Sequence, residues 1–169
     1  MDIINVRRSV RKYQEKSLEK EKIDAILKAA MQAPSARNQQ AWRFLVCTSK
    51  EKKLELSQAT PNMKFLDKAP LVIVFLTELT VLTVPHMYAQ DLSAAVENAM
   101  LEATSLGIGS CWCGTYPVEE RMNKVKEIFS LPDNLEPFAV VGFGYPLEEN
   151  AFKFIDRYDK SKVILVGDE

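Results

Sequence analysis

Three stretches of the chain repeat apolar positions at the three-and-four spacing of a helix with one buried face. Ser17 can cap the first, in which Ile23, Ile26, Leu27, Ala30 and Met31 align before Ala33-Pro34 ends it. Asp91 can cap the longest, where Leu92, Ala95, Val96, Ala99, Met100, Ala103 and Leu106 share a face until Gly107 and Gly109 stop it. Its alanines allow close helix approach, as at a buried subunit interface. The third spans 118–129, with Val118, Met122, Val125, Ile128 and Phe129 in phase, and Leu131-Pro132-Asp133 breaks it. Between the helices lie continuous apolar runs at 43–48, 71–76 and 138–143, which read as buried strands. Three or four strands separated by helices predict an α/β sandwich. After Gly144-Tyr145-Pro146 the periodicity is lost, and the remainder reads as an extended tail that, lacking a core of its own, must lie on something. No repeat, Gly/Ser linker or long charge block interrupts 1–169, which is read as a single domain.

Composition narrows the class. Of 169 residues, 47% are hydrophobic and 27% charged, inside the range of packed globular domains. With 22 Lys and Arg against 23 Asp and Glu the net charge is −1, so no chain-wide field exists to hold a nucleic acid, although a local phosphate site remains open. No apolar run approaches the ~18 residues of a membrane span, and Met-Asp-Ile-Ile lacks the basic and apolar regions of a signal peptide. A cytoplasmic protein without membrane partners is therefore expected. Cys47, Cys111 and Cys113 are odd in number and read as free thiols.

Candidate chemistry concentrates in three places. Arg7-Arg8-Ser9-Val10-Arg11-Lys12 offers guanidinium forks and a hydroxyl, which suit the several oxygens of a phosphate monoester; the alternative is a solvated basic turn. Pro34-Ser35-Ala36-Arg37-Asn38-Gln39-Gln40-Ala41-Trp42 is dense in donors and acceptors between a helix and a strand, as where planar polar ligands are read. It could equally be a connector whose Asn and Gln satisfy stranded backbone groups. Gly107 to Thr115 sets three glycines around Trp112, so backbone N–H groups there can approach a ligand closely. The spacing is not a dinucleotide fingerprint, and a Cys-x-Cys metal site lacks further ligands in a chain whose only histidine is His86. No acid-base carboxylate pair, nucleophile elbow or Walker loop is present.

Taken in order, R-R-S-x-R, A-P-S-x-x-N-x-Q-x-W, D-x-x-x-A-x-x-N-x-x-L-x-A, G-x-G-S-C-W-x-G and V-V-G-F-G-Y-P resemble the nitroreductase family of flavin-dependent oxidoreductases across nearly the whole chain. The length resembles its short subgroup. The resemblance implies an α+β fold, an α/β/α sandwich with a central mixed, mainly antiparallel sheet and an extended C-terminal tail. It further implies a homodimer holding FMN in clefts between the subunits, with no nucleic-acid partner. On this reading Arg7, Arg8 and Ser9 hold the phosphate and ribityl chain and Arg11 reaches the pyrimidine edge. Pro34, Ser35, Ala36 and Asn38 approach the flavin from the second subunit, and Asn62 contacts the isoalloxazine. Trp112, Cys113 and Gly114 run along the ring with main-chain groups. The tail supplies Lys153 or Arg157 to the phosphate, and Arg157 is favoured. Ala41 departs from the family pattern, which commonly has proline there.

The reaction implied takes hydride from NADH or NADPH and passes electrons to a small-molecule acceptor such as a nitroaromatic or a quinone. Flavin N5 carries that chemistry, so no catalytic side chain is expected. The rivals are a flavin- or small-ligand-binding dimer without productive turnover, and a relative that consumes flavin or dehalogenates its substrate.

Overall fold

A strand hides every side chain only when both faces of its sheet are covered, so the longest apolar run belongs in a sheet interior. A computed structural model describes residues 2–167. Four strands, β1 (Trp42–Cys47), β2 (Leu71–Glu78), β3 (Gly109–Gly114) and β4 (Leu135–Gly144), make one antiparallel sheet in the order β1-β2-β4-β3. In β2 every residue but Glu78 is buried, and Val74 lies opposite Leu45 on one side and Val140 on the other. The expected mixed character is reduced to a single parallel bridge between Ser9 and Ser110.

Five helices, α1 (Ile3–Val6), α2 (Lys20–Met31), α3 (Lys50–Ala59), α4 (Tyr88–Ser105) and α5 (Glu119–Phe129), complete the fold. On one face Ile26 and Ala30 of α2 and Leu92, Ala95 and Ala99 of α4 pack over Ile73 and Phe75. On the other, Leu56 of α3, Leu66 and Val125 and Ile128 of α5 cover Val72, Val74 and Val140. These layers are the α/β/α sandwich that the sequence led us to expect. No helix among the described residues is long and apolar enough to cross a membrane.

Several local expectations change. Ser17 does not cap α2: the helix starts at Lys20 behind Glu19, whose carboxylate instead accepts from the Tyr145 hydroxyl at 2.5 Å. Met31 ends α2 46% exposed, one residue past the covered part of its face. Asp91 does not cap α4, which begins a turn earlier at Tyr88; its carboxylate reaches a neighbouring loop. The alanine face of α4 is spent inside the chain, with Ala95, Ala99 and Ala103 fully buried in the cluster that includes α2. The contacts that cover this face are therefore within one chain.

The glycine-rich stretch after α4 contains the strand β3, Gly109–Gly114. Gly107, at φ +73°, terminates the helix, a backbone state that glycine enters without steric cost. Gly109 admits its own chain and not a ligand, since a Cβ there would sit 2.7 Å from the Val10 Cβ. Beyond β4 the chain carries no further strand or α-helix among the described residues, and Ile164 and Val166 stand 88% and 96% exposed.

Candidate functional site

The N-terminal segment lies across the open side of β3. The Val10 N–H donates to the Ser110 carbonyl at 2.9 Å, and the buried Tyr13 hydroxyl donates to the carbonyls of Val10 at 2.6 Å and Gly142 at 3.1 Å. Gly144 makes room for it, because a Cβ there would meet the Tyr13 ring at 2.8 Å. The backbone of the motif is thus held against the edge of the sheet, with Arg7 and Arg8 half-buried and Arg11 and Lys12 exposed to solvent.

Arg8 is the most constrained of them. Its guanidinium donates to the carbonyls of Arg7 and Asn5, the latter at 2.7 Å, while its Nε is buried and has no partner. Loss of hydration, and then the charges of Arg157 and Arg7, lower its pKa. Arg157 from the tail and Arg7 therefore converge on Arg8 without a carboxylate facing it. Arg7 Nε pairs with Glu97 of α4 at 3.3 Å. The Ile155 N–H donates to the Asn5 carbonyl at 3.2 Å and brings the tail here, whereas Lys153 is exposed and hydrogen-bonded to nothing among the described residues. A hollow of about 220 Å³ opens alongside, lined by Arg8, Ser9, Arg11 and Lys12, with Glu148 held by Lys12 at 3.0 Å. The buried Ser110 hydroxyl is a second polar group without a partner.

The outer edge of β3 continues the site. In an antiparallel ladder alternate residues turn both main-chain groups to the same side. Ser110 turns outward to Val10, so Trp112 and Gly114 turn outward as well. No strand pairs with them among the described residues. A Cβ on Gly114 would meet nothing within 4 Å, so the space beside it is open. The Cys113 thiol donates to the Asn62 carbonyl at 3.6 Å, which sets Asn62 beside this edge. Cys111 is drawn down to about 7, first by the neighbouring Cys113 thiol and then, against desolvation, by Arg11, Ser9 and Arg7; Cys113 is pushed up by the same neighbour and by burial. Arg11 is exposed, its guanidinium 3.5 Å from the carbonyl of Ser9, the residue that bridges to Ser110 of β3.

One group stands elsewhere. Pro34, Ser35, Ala36 and Asn38 lie in the connection that enters β1, on the opposite edge strand, about 14 Å away at three inter-strand spacings. The Ser35 hydroxyl accepts from the Gln40 N–H at 3.1 Å, and the Ala36 N–H donates to Asp91 at 2.9 Å. Asn38 is exposed and in the left-handed region at φ +54°. Gln39 is the hub of that loop, satisfying backbone groups as the connector reading expects. Its amide donates to Asp91 at 2.6 Å, and its carbonyl accepts from the N–H groups of Thr83 at 3.2 Å and Val84 at 3.0 Å. Arg121 was missed: its guanidinium donates to the Gly114 carbonyl at 2.9 Å, but in sequence it lies in a charged helix start.

The family model for the nitroreductase family matches residues 4–63 and 55–145. A protein of Archaeoglobus fulgidus, provisionally named NADH dehydrogenase/NAD(P)H nitroreductase, is 41% identical over 96% of this chain and 95% of its own. An FMN-dependent nitroreductase of Clostridium difficile superposes with a TM-score of 0.88 at 33% identity, over 98% of both chains. A provisionally named nitroreductase of Desulfovibrio desulfuricans, solved in complex with FMN, superposes at 0.83 with 26% identity over 99% of this chain and 95% of that one. The chain belongs to the nitroreductase family.

Proposed function

We propose that the protein is an FMN-dependent oxidoreductase that draws reducing equivalents from NADH or NADPH. The observation that carries this reading is the buried, unpartnered Arg8 Nε amid Arg7 and Arg157, at one end of an open strand edge that Gly114 leaves clear. A phosphate at the cation end and a flat ring along the edge match those groups, because a dianion offsets the gathered positive charge and accepts from guanidinium N–H groups beyond those already held by Glu97 and the carbonyls of Arg7 and Asn5. The chemistry that FMN would supply there is acceptance of hydride from the nicotinamide and electron transfer to a second acceptor, such as a nitroaromatic or a quinone. Arg7, Arg8, Ser9 and Arg157 hold the phosphate, and Arg11 stabilises negative charge developing at the pyrimidine edge. Trp112 and Gly114 present outward main-chain groups to the ring, while Cys113, whose main chain faces β4, lies between them with Asn62 against its thiol. No side chain of the protein is asked to carry covalent chemistry.

The protein acts as a homodimer in the cytoplasm on this reading. Pro34, Ser35, Ala36 and Asn38 belong to the connection at the far edge of the sheet, so they reach the ring only from a second copy. The exposed tail supports the same assembly, since Val163, Ile164, Leu165 and Val166 form a β-prone apolar run with nothing over it.

The test is spectroscopic. Purified protein, or apoprotein given FMN, is expected to show flavin absorption that NADH or NADPH bleaches anaerobically within the turnover time. A protein that binds no FMN overturns the proposal. Bound flavin untouched by both donors would leave a binding protein in its place.

A further inference from the structure

We propose that Arg121 forms an anion subsite beside the flavin ring and selects ligands carrying a carboxylate or phosphate. This rests on the FMN reading above and adds to it the class of molecule that stacks on the ring. The geometry begins at Gly114, whose carbonyl points away from β4 along the outer edge of β3. Arg121, in the first turns of α5, folds back and donates one Nη to that carbonyl at 2.9 Å. A guanidinium carries five N–H donors, and this contact engages a single nitrogen. The remaining donors stay available at the end of the edge where Gly114 leaves open space. Glu119 and Glu120 precede it in α5, yet among the described residues no carboxylate lies within 4.0 Å of it.

The position separates Arg121 from the other cations. Arg7, Arg8 and Arg157 gather where Ser9 meets Ser110, at the start of β3, whereas Arg121 stands at its end. A phosphate of FMN held by the first group cannot also occupy the second, since the four residue steps from Ser110 to Gly114 set them about 14 Å apart. An anchored guanidinium with free donors suits a planar carboxylate or a phosphate, which it can grip with two parallel hydrogen bonds. Two sources offer that chemistry: an aromatic acid as acceptor, and the phosphates of the nicotinamide donor.

The experiment uses FMN-loaded protein. Benzoate and benzyl alcohol are titrated into wild type, Arg121→Gln and Arg121→Lys, with the perturbation of the flavin spectrum as readout and thermal melts as the check on folding. Benzoate is expected to bind wild type about five- to tenfold more tightly than Arg121→Gln, while benzyl alcohol binds both alike and Arg121→Lys recovers part of the difference. The advantage should shrink in ~1 M salt, where exposed charges are screened within about 3 Å. In turnover, KM for 4-nitrobenzoate should rise in Arg121→Gln with kcat unchanged and with nitrobenzene unaffected. If KM rises for NADH and NADPH instead, the anion bound is the donor's phosphate and the subsite stands. Equal losses for charged and neutral ligands, or no change for benzoate, 4-nitrobenzoate and both nicotinamides, overturn the subsite and leave Arg121 as a clamp on Gly114. Failure to hold FMN at all would overturn the functional reading itself and is seen before any ligand is added.

Discussion

The sharpest consequences at the scale of single residues lie in the N-terminal cations and in Gly114. Arg8 also holds the carbonyls of Arg7 and Asn5, so its removal would mix structural and binding effects. Arg7 is cleaner, because its protein partner is the half-exposed Glu97. Replacing Arg7 with Ala should weaken FMN by about ten- to a hundredfold, the loss of one charge-assisted contact of roughly 1.5 to 3 kcal/mol, and riboflavin by much less. Equal losses for both flavins in titrations of the apoprotein would point to a structural effect. Gly114→Ala should behave in the opposite way to a core mutation. The added methyl meets nothing in the chain, so denaturation of the apoprotein should shift by under about 0.5 kcal/mol while FMN affinity falls. Gly109→Ala should instead destabilise the apoprotein, because its Cβ would overlap Val10.

Between elements, the Asp91 carboxylate joins α4 to the connection that enters β1. It accepts from the Ala36 N–H and the Gln39 amide, and Gln39 in turn gathers Thr83 and Val84. Asp91 is only 5% exposed, so Asp91→Ala leaves the Ala36 N–H without its acceptor and the Gln39 amide with the Val84 carbonyl alone. A loss of about 1 to 3 kcal/mol in chemical denaturation is expected, with a larger proportional loss of FMN affinity if the 34–38 segment serves a partner's site. Unchanged stability would mean that water replaces the carboxylate. Asp91 was legible as a residue with a local role, but its part is tertiary. Nothing in its spacing distinguishes a helix cap from a strut, since both need a carboxylate near a helix start.

For the whole molecule, the tail is the element that the isolated chain does not explain. Burying side chains such as Ile164 and Val166 would contribute about 1.5 to 3 kcal/mol each, which a second copy can supply and water cannot. Cutting the chain after Glu149 should leave the two apolar clusters almost intact, with only the partly buried Ala151 removed from their margin, and so preserve the fold. The same cut should turn a sedimenting dimer into a monomer and weaken FMN by removing Arg157. A truncated chain that still dimerises would assign the interface elsewhere.

The sequence alone determined α2, α4 and α5 and the strands β1, β2 and β4, because apolar periodicity records which face is covered whatever covers it, whereas α1, α3 and β3 carry no such pattern and were not read from it. It also determined the family, through motifs whose order survives without knowledge of the fold. What covers each face was decided only in three dimensions. The alanines of α4 read equally well as an interface between copies or within one chain, and the structure placed them against α2. Glycines are equally mute, since a missing side chain has the same spelling for a helix stop at Gly107, a close chain crossing at Gly109 and open space at Gly114. Likewise, the convergence of Arg7 and Arg8 with Arg157, about 150 positions away, and the return of Arg121 to Gly114 depend on chain reversals and a strand order that no local pattern encodes.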